Sequence, residues 1–406
     1  MEQKDRELFR KILFDAVAIV VLALLLMPLH SWVYDTPFLN YSENTQTSAS
    51  DLAYAIQREQ VAAQPSSEIS IVDISGISGS DTRGVIAALL DTIYQMQPRR
   101  IGVDIMFPAP SHFSVYDSLL VATVERIADK TVFICELDSY SPRQNQFLSC
   151  SHSFYQSVKG ISEGYSNLMQ DGDNKPISQY SLRQMAVDST IVYSFPAQMV
   201  IDYLDESDFA DNTPIIRFEP TDFPCMSHNQ LDADSIRDRF VLVGDMRAQS
   251  DSHNTPLGFM QGLEIHAYTM QTMLEHNPIG HTHVLLLFVI AIIIGFLYTL
   301  FVVFVDKKLA VDPTNMMKFI LQQGLLTMGV TYVLNLILEY IAYVSFTVFE
   351  TNFGLHAMLP SIIKLIAFTK VVYCIVLPML SKRFGWRWLR LSNYSGFSNP
   401  DDKNKN

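Results

Sequence analysis

The sequence predicts an α/β extracytoplasmic domain with a largely parallel sheet and flanking helices, joined to an all-α bundle of transmembrane helices. Three observations predict this combination. One apolar segment lies near the start of the 406-residue chain, a long polar stretch follows, and further apolar segments occupy the last third. Within the polar stretch, strand-like apolar runs alternate with amphipathic helical patterns, which is typical of a parallel sheet covered by helices.

The predicted spans rest on apolar stretches, because a helix needs about 20 apolar residues to cross a bilayer. Three stretches of 19, 30 and 20 residues carry no Asp, Glu, Lys or Arg: Ala16–Tyr34, His276–Val305 and Phe319–Leu338. A fourth stretch, Ala357–Leu380, is apolar except for Lys364 and Lys370. The first stretch could instead be a cleaved signal peptide. Because no small-residue cleavage site follows Pro28, we favour a signal-anchor.

Lysine and arginine residues predict the orientation of these spans. They precede the first span, lie between the second and third, and follow the fourth, whereas residues 343–356 contain none. Positive residues stay on the cytoplasmic side, so we expect a multi-pass protein of a bacterial inner membrane. The predicted parts are a cytoplasmic N-terminus (1–11), a transmembrane signal-anchor (12–33), an extracytoplasmic domain (34–282), a transmembrane helix (283–305), a cytoplasmic loop (306–318), two further transmembrane helices (319–343 and 357–380) and a cytoplasmic tail (381–406).

The predicted outer domain is acidic. Residues 34–282 hold 32 acidic and 14 basic side chains, against 10 and 15 in the rest of the chain. An acidic domain repels polyanions, so we exclude nucleic acid as a partner.

Three of the four cysteines, Cys135, Cys150 and Cys225, fall in this domain. An odd number permits at most one bridge among them. Cys135 with Cys150 is a pair that an oxidising compartment allows, but the sequence does not fix the connectivity. No cysteine spacing resembles a zinc site, and we expect no bound metal or cofactor.

The first part of the outer domain predicts a strand–loop–helix–strand unit. The apolar run Glu68–Ile74 indicates a buried strand, and Arg99–Phe107 indicates a second one. Between them, Thr82–Met96 carries apolar residues at helical spacing, with Asp81 as its expected N-cap and Pro98 as its end. Strands linked by a helix in this way are parallel, with a right-handed crossover.

The remaining elements follow from the same patterns. We expect helices over Tyr116–Ala128, Ile191–Leu204 and Gly262–His276, and strands over Thr131–Leu137 and Arg237–Asp245. Ser139–Ser153 and Met246–Met260 are expected to be loops.

Carboxylates near strand ends form the first candidate site. Asp73, Asp104 and Asp245 each lie near the carboxyl end of a predicted strand, where open α/β sheets bind their ligands. Three carboxylates there suit a cation, an amine or a hydroxyl-rich ligand. The alternative is that each one caps a helix or a turn.

A second cluster contains Asp251, His253, Glu264 and His266. Glu264 and His266 are two positions apart on a helix and therefore point to different faces. Asp251, His253 and His266 remain as a three-ligand set with an open position, as catalytic zinc uses. We favour the alternative that these groups hydrogen-bond to fix the loop. The sequence contains no nucleophile elbow or phosphate loop, so we expect no enzyme.

Several motifs together resemble the CHASE type-two family of extracellular sensory domains. They are VDISGIS, RRIGVDIMFPAP, RFVLVGD, DSHNTPLG and GLEIHAYTMQTML. Residues that fall in the family's order include Asp73, Asp104, Gly164, Asn167, Asp171, Gly244, Asp251, Thr255, Pro256, Gly262, Glu264 and His266. The resemblance implies a stimulus sensor and candidate ligand contacts at these positions, among them Asn167, Asp171 and Thr255.

Two departures qualify the resemblance. Lys175-Pro176 stands where the family continues into an arginine-bearing stretch, and the tail from Ser381 has only 26 residues. We therefore expect no fused output domain.

Polar residues within the spans are costly in lipid and are expected to face protein or water. Asn335 and Glu339 lie four apart on the third span, and Lys364 and Lys370 lie on the fourth. We hypothesise a Glu339–Lys364 pair, with snorkelling of Lys364 as the alternative. Replacing Glu339 alone should lower the amount of protein in the membrane, and replacing both residues should restore part of it. Unchanged abundance of the Glu339 variant would contradict the pair.

The sequence thus predicts a membrane-bound receptor that binds an unknown extracytoplasmic ligand and signals to a partner protein in trans. A homodimer is one oligomeric state that we consider for this receptor. The alternatives are a membrane-anchored, metal-dependent hydrolase that uses Asp251, His253 and His266, and an envelope assembly scaffold whose outer domain binds protein.

Overall fold

The computed structural model describes residues 3–34, 54, 62–141, 143–168, 176–186, 190–205, 214–247, 251–276, 280–281, 284–308, 316–349, 351–352, 362–363, 365–370 and 372–373. The chain divides into two compact units. One is Asn44–Ile279, called the outer unit below, and the other combines Met1–Glu43 with Gly280–Asn406 and is called the helical unit. The Asp51–Ala63 region falls almost wholly outside the described residues.

A mainly parallel sheet forms the centre of the outer unit. Its strands are β2 (Ile69–Asp73), β3 (Arg100–Val103), β4 (Thr131–Ser141), β5 (Gln146–Ser151), β6 (Ser162–Tyr165), β10 (Cys225–Ser227) and β11 (Phe240–Gly244). The order across the sheet is β10-β2-β11-β3-β4-β5, and β6 also pairs with β4. Every pairing is parallel except that of β4 with β5. The predicted α/β class with a largely parallel sheet is confirmed.

Helices cover both faces of this sheet, giving three layers. The helices are α2 (Thr82–Gln95), α3 (Ser114–Ile127), α4 (Phe195–Val200) and α5 (Gly262–Leu274), and 3-10 turns follow at Ala128–Lys130 and Ile201–Tyr203. On one face, Val241 and Val243 share a core with the apolar faces of α2 and α3. On the other, a side chain at Gly102 would meet Phe195 and Leu242, so α4 packs directly on the sheet there.

Short two-stranded ladders complete the outer unit. They pair β1 (Gln64–Pro65) with β9 (Thr221–Asp222), β7 (Arg183–Met185) with β8 (Ile191–Tyr193), and β12 (Ser252–Thr255) with β13 (Gly258–Gln261). The turn between β12 and β13 ends at Gly258, whose φ of 100° lies in the region that favours glycine.

Four local predictions need correction. Ser139–Ser153 is a β-hairpin rather than a loop, since β4 continues to Ser141 and pairs with β5. The 246–260 region likewise contains β12 and most of β13. The expected helix from Ile191 starts only at Phe195, because its first three residues form β8. Asp81 occupies the N-cap of α2, but its side chain makes no capping hydrogen bond.

The helical unit contains α1 (Gln3–Tyr34), α6 (Val284–Lys308) and α7 (Met316–Phe349), and residues 362–363 and 365–370 are also helical. A shared apolar core joins these segments, with Ile19, Ala291, Leu338 and Ile366 among its buried members. Short strands β14 (Gly280–His281) and β15 (Thr351–Asn352) pair with each other.

Among the residues that the structure describes, one helical stretch, Leu286–Val305, is by its length and composition able to cross a membrane. A shorter apolar stretch covers Tyr332–Val348. A single such helix is weak evidence of membrane insertion, so the bundle of spans stays a prediction.

Candidate functional site

The carboxyl ends of three adjacent parallel strands meet at one edge of the sheet. Asp73 is the last residue of β2, Asp104 directly follows β3, and Asp245 directly follows β11, which lies between them. The three predicted carboxylates therefore lie at one edge of the sheet, as expected from the rule that open α/β sheets bind ligands at the carboxyl ends of their strands (the strand-end rule). Their hydrogen bonds differ, and so do the roles that these carboxylates have in the structure.

Asp73 and Asp245 stabilise turns. The Asp73 carboxylate accepts hydrogen bonds from Ser75 N at 2.8 Å, Ser75 Oγ at 2.9 Å and Met246 N at 3.2 Å. Burial raises its pKa, but these hydrogen bonds and the charge of Arg247 outweigh burial, so the net pKa is lowered. The exposed Asp245 accepts a hydrogen bond from Arg247 N at 2.8 Å. For both residues the turn-capping interpretation fits the structure.

Asp104 is different. No hydrogen bond joins its carboxylate to another described residue, although it is only partly accessible to solvent. Burial, and after it the charges of Asp251 and Glu136, raise its pKa to about 7. A carboxylate held in this state near neutral pH is a mark of a functional site, because it costs stability.

Asp251 links this carboxylate to the start of α5. It accepts a hydrogen bond from Gly262 N at 3.2 Å, and one of its oxygens lies 3.1 Å from His253 Nε2. A side chain at Gly262 would come within 2.7 Å of both Asp251 oxygens, so glycine is what lets the carboxylate approach the helix. Asp251 and His253 keep 41% and 29% of their side-chain surface exposed, so this pair is open to a ligand.

His266 lies one turn into α5 and is buried. Its pKa is lowered to about 4, mainly by burial; the charge of Asp251 opposes this shift and that of His253 adds to it. Its ring meets that of Phe195 edge to face at 5.3 Å, and its buried Nδ1 has no hydrogen-bond partner in the part of the chain described. A cavity of about 10 Å³ beside the ring holds about one water molecule. His266 is therefore a neutral wall of the site.

The other family positions mainly shape the backbone. Thr255 is buried and closes the β12–β13 turn by donating to Gly258 O at 2.7 Å. Asn167 accepts from Leu137 N at 2.8 Å and donates to Leu137 O at 3.1 Å, which continues the pairing of β4. Glu264 forms a capping box with Gln261 at the start of α5.

Several predicted residues cannot be placed in the site. Asp171 and Lys364 lie outside the described residues. Asn335 and Glu339 are in α7, but their side chains also fall outside the description. The Glu339–Lys364 pair stays a hypothesis.

The helical unit contains buried ionisable residues, one of which, Asp15, the sequence interpretation missed. Asp15 is fully buried and accepts a hydrogen bond from Tyr373 Oη at 3.2 Å, and Lys370 is 2% exposed. Asp15 was overlooked because it comes one residue before the uncharged stretch that begins at Ala16. Glu136, whose charge acts on Asp104, was also missed because only strand ends were considered.

In chemical terms the site offers two acidic groups, Asp104 and Asp251, and the partly exposed imidazole of His253, with the buried, neutral imidazole of His266 nearby. Among the described residues, the side chains close enough to share a metal ion are Cys135, Cys150 and His152, a different set from Asp251, His253 and His266. The arrangement suits binding of a proton donor or a cation better than the three-ligand hydrolase site.

The fold is an α/β domain with a cluster of polar side chains at the carboxyl edge of its parallel sheet. The chain belongs to the CHASE2 domain family, whose model matches residues 16–303. This is a family of extracellular sensory domains, not of catalytic ones, and the resemblance predicted from the motifs is confirmed. No curated protein and no solved structure matches the chain.

Proposed function

We propose that the protein is a sensor of the bacterial inner membrane. Residues 34–282 lie outside, bind a stimulus at the carboxyl edge of the sheet, and relay a conformational change through the helical unit to a partner protein in trans. Membership of a sensory family supports the sensor role. The stimulus, the relay and the partner are the parts that need testing.

One observation carries the location of the stimulus site. Asp104 holds a carboxylate without a hydrogen-bond partner in the described structure, close to the second carboxylate of Asp251. Two carboxylates in a partly buried site repel each other unless a proton, a cation or a donor group from a ligand lies between them. The ligand class that relieves this repulsion is a cation, an amine or a hydroxyl-rich molecule.

The site is connected along the chain to the first predicted span after the outer unit. Asp251 contacts Gly262, the first residue of α5. Helix α5 ends at Leu274, and α6, which contains the apolar stretch Leu286–Val305, begins at Val284. A shift of Asp251 on ligand binding would therefore act on the helix that leads into the proposed membrane segment.

Two contacts within the helical unit support the proposed topology. The β14–β15 pairing joins the chain before α6 to the chain after α7, and both points are predicted to lie outside. The Tyr373–Asp15 hydrogen bond joins residues that are both predicted to lie toward the cytoplasmic ends of their spans. Both contacts fit antiparallel spans, and the distribution of lysine and arginine gives the side on which the N-terminus is proposed to lie.

Buried charge in the helical unit supports a role beyond anchoring. Asp15 and Lys370 are both almost inaccessible. Ionisable residues inside a membrane are costly, and they are found where a bundle does functional work. In the proposal, these two residues are part of the relay.

Crosslinking in intact cells tests the relay in trans. A photoreactive amino acid is placed at single positions within 306–318, predicted to be cytoplasmic, and crosslinked proteins are identified by mass spectrometry. We expect capture of one kinase, cyclase or regulator subunit. The matched control carries the same amino acid at Val115 in the outer unit, whose side chain is 75% exposed, and should not capture that protein.

The scaffold hypothesis predicts that different proteins are crosslinked. An envelope scaffold would crosslink to envelope proteins through the Val115 position and to nothing cytoplasmic through 306–318. Capture of nothing but copies of this chain at 306–318 would contradict signalling in trans.

A further inference from the structure

A second polar cluster of the outer unit lies on the β4–β5 hairpin and shares no residue with the candidate site described above. Cys135 is buried in β4, Cys150 lies in β5, and His152 directly follows β5. In the antiparallel register Leu137 faces Cys150, so one step of two residues places Cys135 opposite His152 on the same face of the hairpin. One sulfur from each cysteine and one ring nitrogen of the histidine lie within 4.8 Å of one another.

Glu163 of β6 completes the cluster. Its Oε2 lies 2.8 Å from His152 Nδ1, and its Oε1 is buried with no hydrogen-bond partner among the described residues. A histidine that donates Nδ1–H to a carboxylate has its free lone pair on Nε2. Metal-binding histidines are held in this way by a carboxylate behind the ring.

The cluster opens into a cleft of about 580 Å³. Its other walls come from residues of β8 and the segments beside it: Ala186, Thr190, Ile191, Val192, Tyr193 and Gln198. There is room beside the three side chains for an ion together with a water molecule or a small ligand.

The electrostatics of the cluster favour a cation. A hydrogen bond from Cys135 lowers the pKa of the Cys150 thiol, burial raises it, and His152 lowers it. The same contact, together with burial, raises the pKa of Cys135, and the nearby charge of Glu163 raises the pKa of both thiols. A divalent cation would offset the negative charge that two thiolates and Glu163 bring to the cluster.

We propose that Cys135, Cys150 and His152 bind a zinc-class divalent metal ion, with Glu163 positioning the imidazole and a fourth coordination position open to the cleft. Two thiolates, one imidazole and an open position is a ligand set that zinc uses. Zinc–sulfur distances of about 2.3 Å bring two sulfurs to about 3.8 Å, so the side chains need to close in only by about 1 Å. Binding releases the two thiol protons to solvent and involves no change of oxidation state.

Cobalt(II) is the probe for this site, because thiolate ligands give it an intense charge-transfer absorption. The full-length protein is purified in detergent, reduced, freed of metal with a chelator and titrated with Co²⁺. We expect saturation at one cobalt per chain, a band that indicates two thiolates, and loss of the band when Zn²⁺ is added.

Variants assign the ligands. Cys150→Ser should remove about half of the charge-transfer intensity, and Glu163→Gln should keep the band but weaken the affinity about 10- to 100-fold, as expected for a residue behind a metal ligand. The matched control is Cys225→Ser, which changes the third, exposed cysteine of the outer unit and should leave the titration unchanged.

Two results would overturn the site. One is the absence of a charge-transfer band in the reduced wild-type protein. The other is a Cys135–Cys150 disulfide in protein that is alkylated directly from cells without reductant. Because Glu163→Gln leaves both thiols in place, a folding defect in Cys150→Ser would not prevent the test.

Discussion

We expect the Asp104→Asn variant to be more stable than the wild-type protein at pH 8, with a gain that shrinks as the pH falls toward 4. Asp104 has a pKa of about 7 in the folded protein against 3.8 unfolded. Its contribution to stability is therefore fully present below pH 4 and is lost as the pH rises through 7. A difference of about three pKa units corresponds to about 4 kcal/mol. Because the carboxylate partly reaches solvent, we expect about 2 kcal/mol.

The measurement is pulse proteolysis of the full-length protein in urea between pH 5 and pH 8, following fragments of the outer unit. Asp234→Asn, at an exposed aspartate of the same unit, is the matched control. Its difference in stability from the wild-type protein should be the same at pH 5 and at pH 8. An equal gain in stability for Asp104→Asn at pH 5 and at pH 8 would mean that folding does not raise the pKa of Asp104. His266 titrates in the wild-type protein and in both variants alike, so it cancels from the comparison.

We expect Gly164→Ala to lower the free energy of unfolding of the outer unit by about 3 kcal/mol, near the upper end for overpacking a core. Gly164 lies in β6, and a Cβ atom there would come within 2.6 Å of Phe195 Cα and 2.9 Å of Phe195 N. Backbone atoms cannot yield as a flexible side chain can, so β6 and α4 would have to separate. The same pulse proteolysis in urea measures the loss.

Gly76→Ala is the control for the glycine test. Its Cβ would meet only His228, at 3.1 Å from a ring carbon of the side chain, which is able to move. We expect a change below about 1 kcal/mol for it. Equal stability of the two alanine variants would show that the contact of β6 with α4 is looser than the structure indicates.

The elements that the sequence predicted well are those with a buried face. Strands β2 and β11 are mainly apolar and almost fully buried, and α2 and α3 carry apolar residues at helical spacing. For these elements local pattern and tertiary burial agree, so the pattern was sufficient.

The missed elements lack such a face. Strand β5 has no buried residue, and β12 and β13 are short and mostly accessible, so no alternation marks them. The late start of α4 did have a signal. Ser194 caps the helix through Ala197 N, and Pro196 lies in its first turn, whereas the β-branched residues before them favour a strand.

The candidate sites were also only partly predictable from the sequence. The strand-end rule found Asp104, but only the structure separates it from Asp73 and Asp245, because hydrogen bonds to turns are not visible in sequence. The cluster of Cys135, Cys150 and His152 was missed for a topological reason. These residues come together across the β4–β5 hairpin, and that hairpin had been interpreted as a loop.

We propose that a change at the carboxyl-edge site is transmitted to a cytoplasmic partner. The most direct test measures how much partner is crosslinked at positions 306–318 in wild-type cells, in Asp104→Asn cells and in Asp234→Asn cells at equal protein abundance. We predict that Asp104→Asn, which fixes the site in its neutral state, changes the yield of the captured partner by at least about threefold, since ~1 kcal/mol shifts a two-state equilibrium by about fivefold. Asp234→Asn should match the wild-type yield. Capture of the same partner at the same yield in all three strains would contradict the claim.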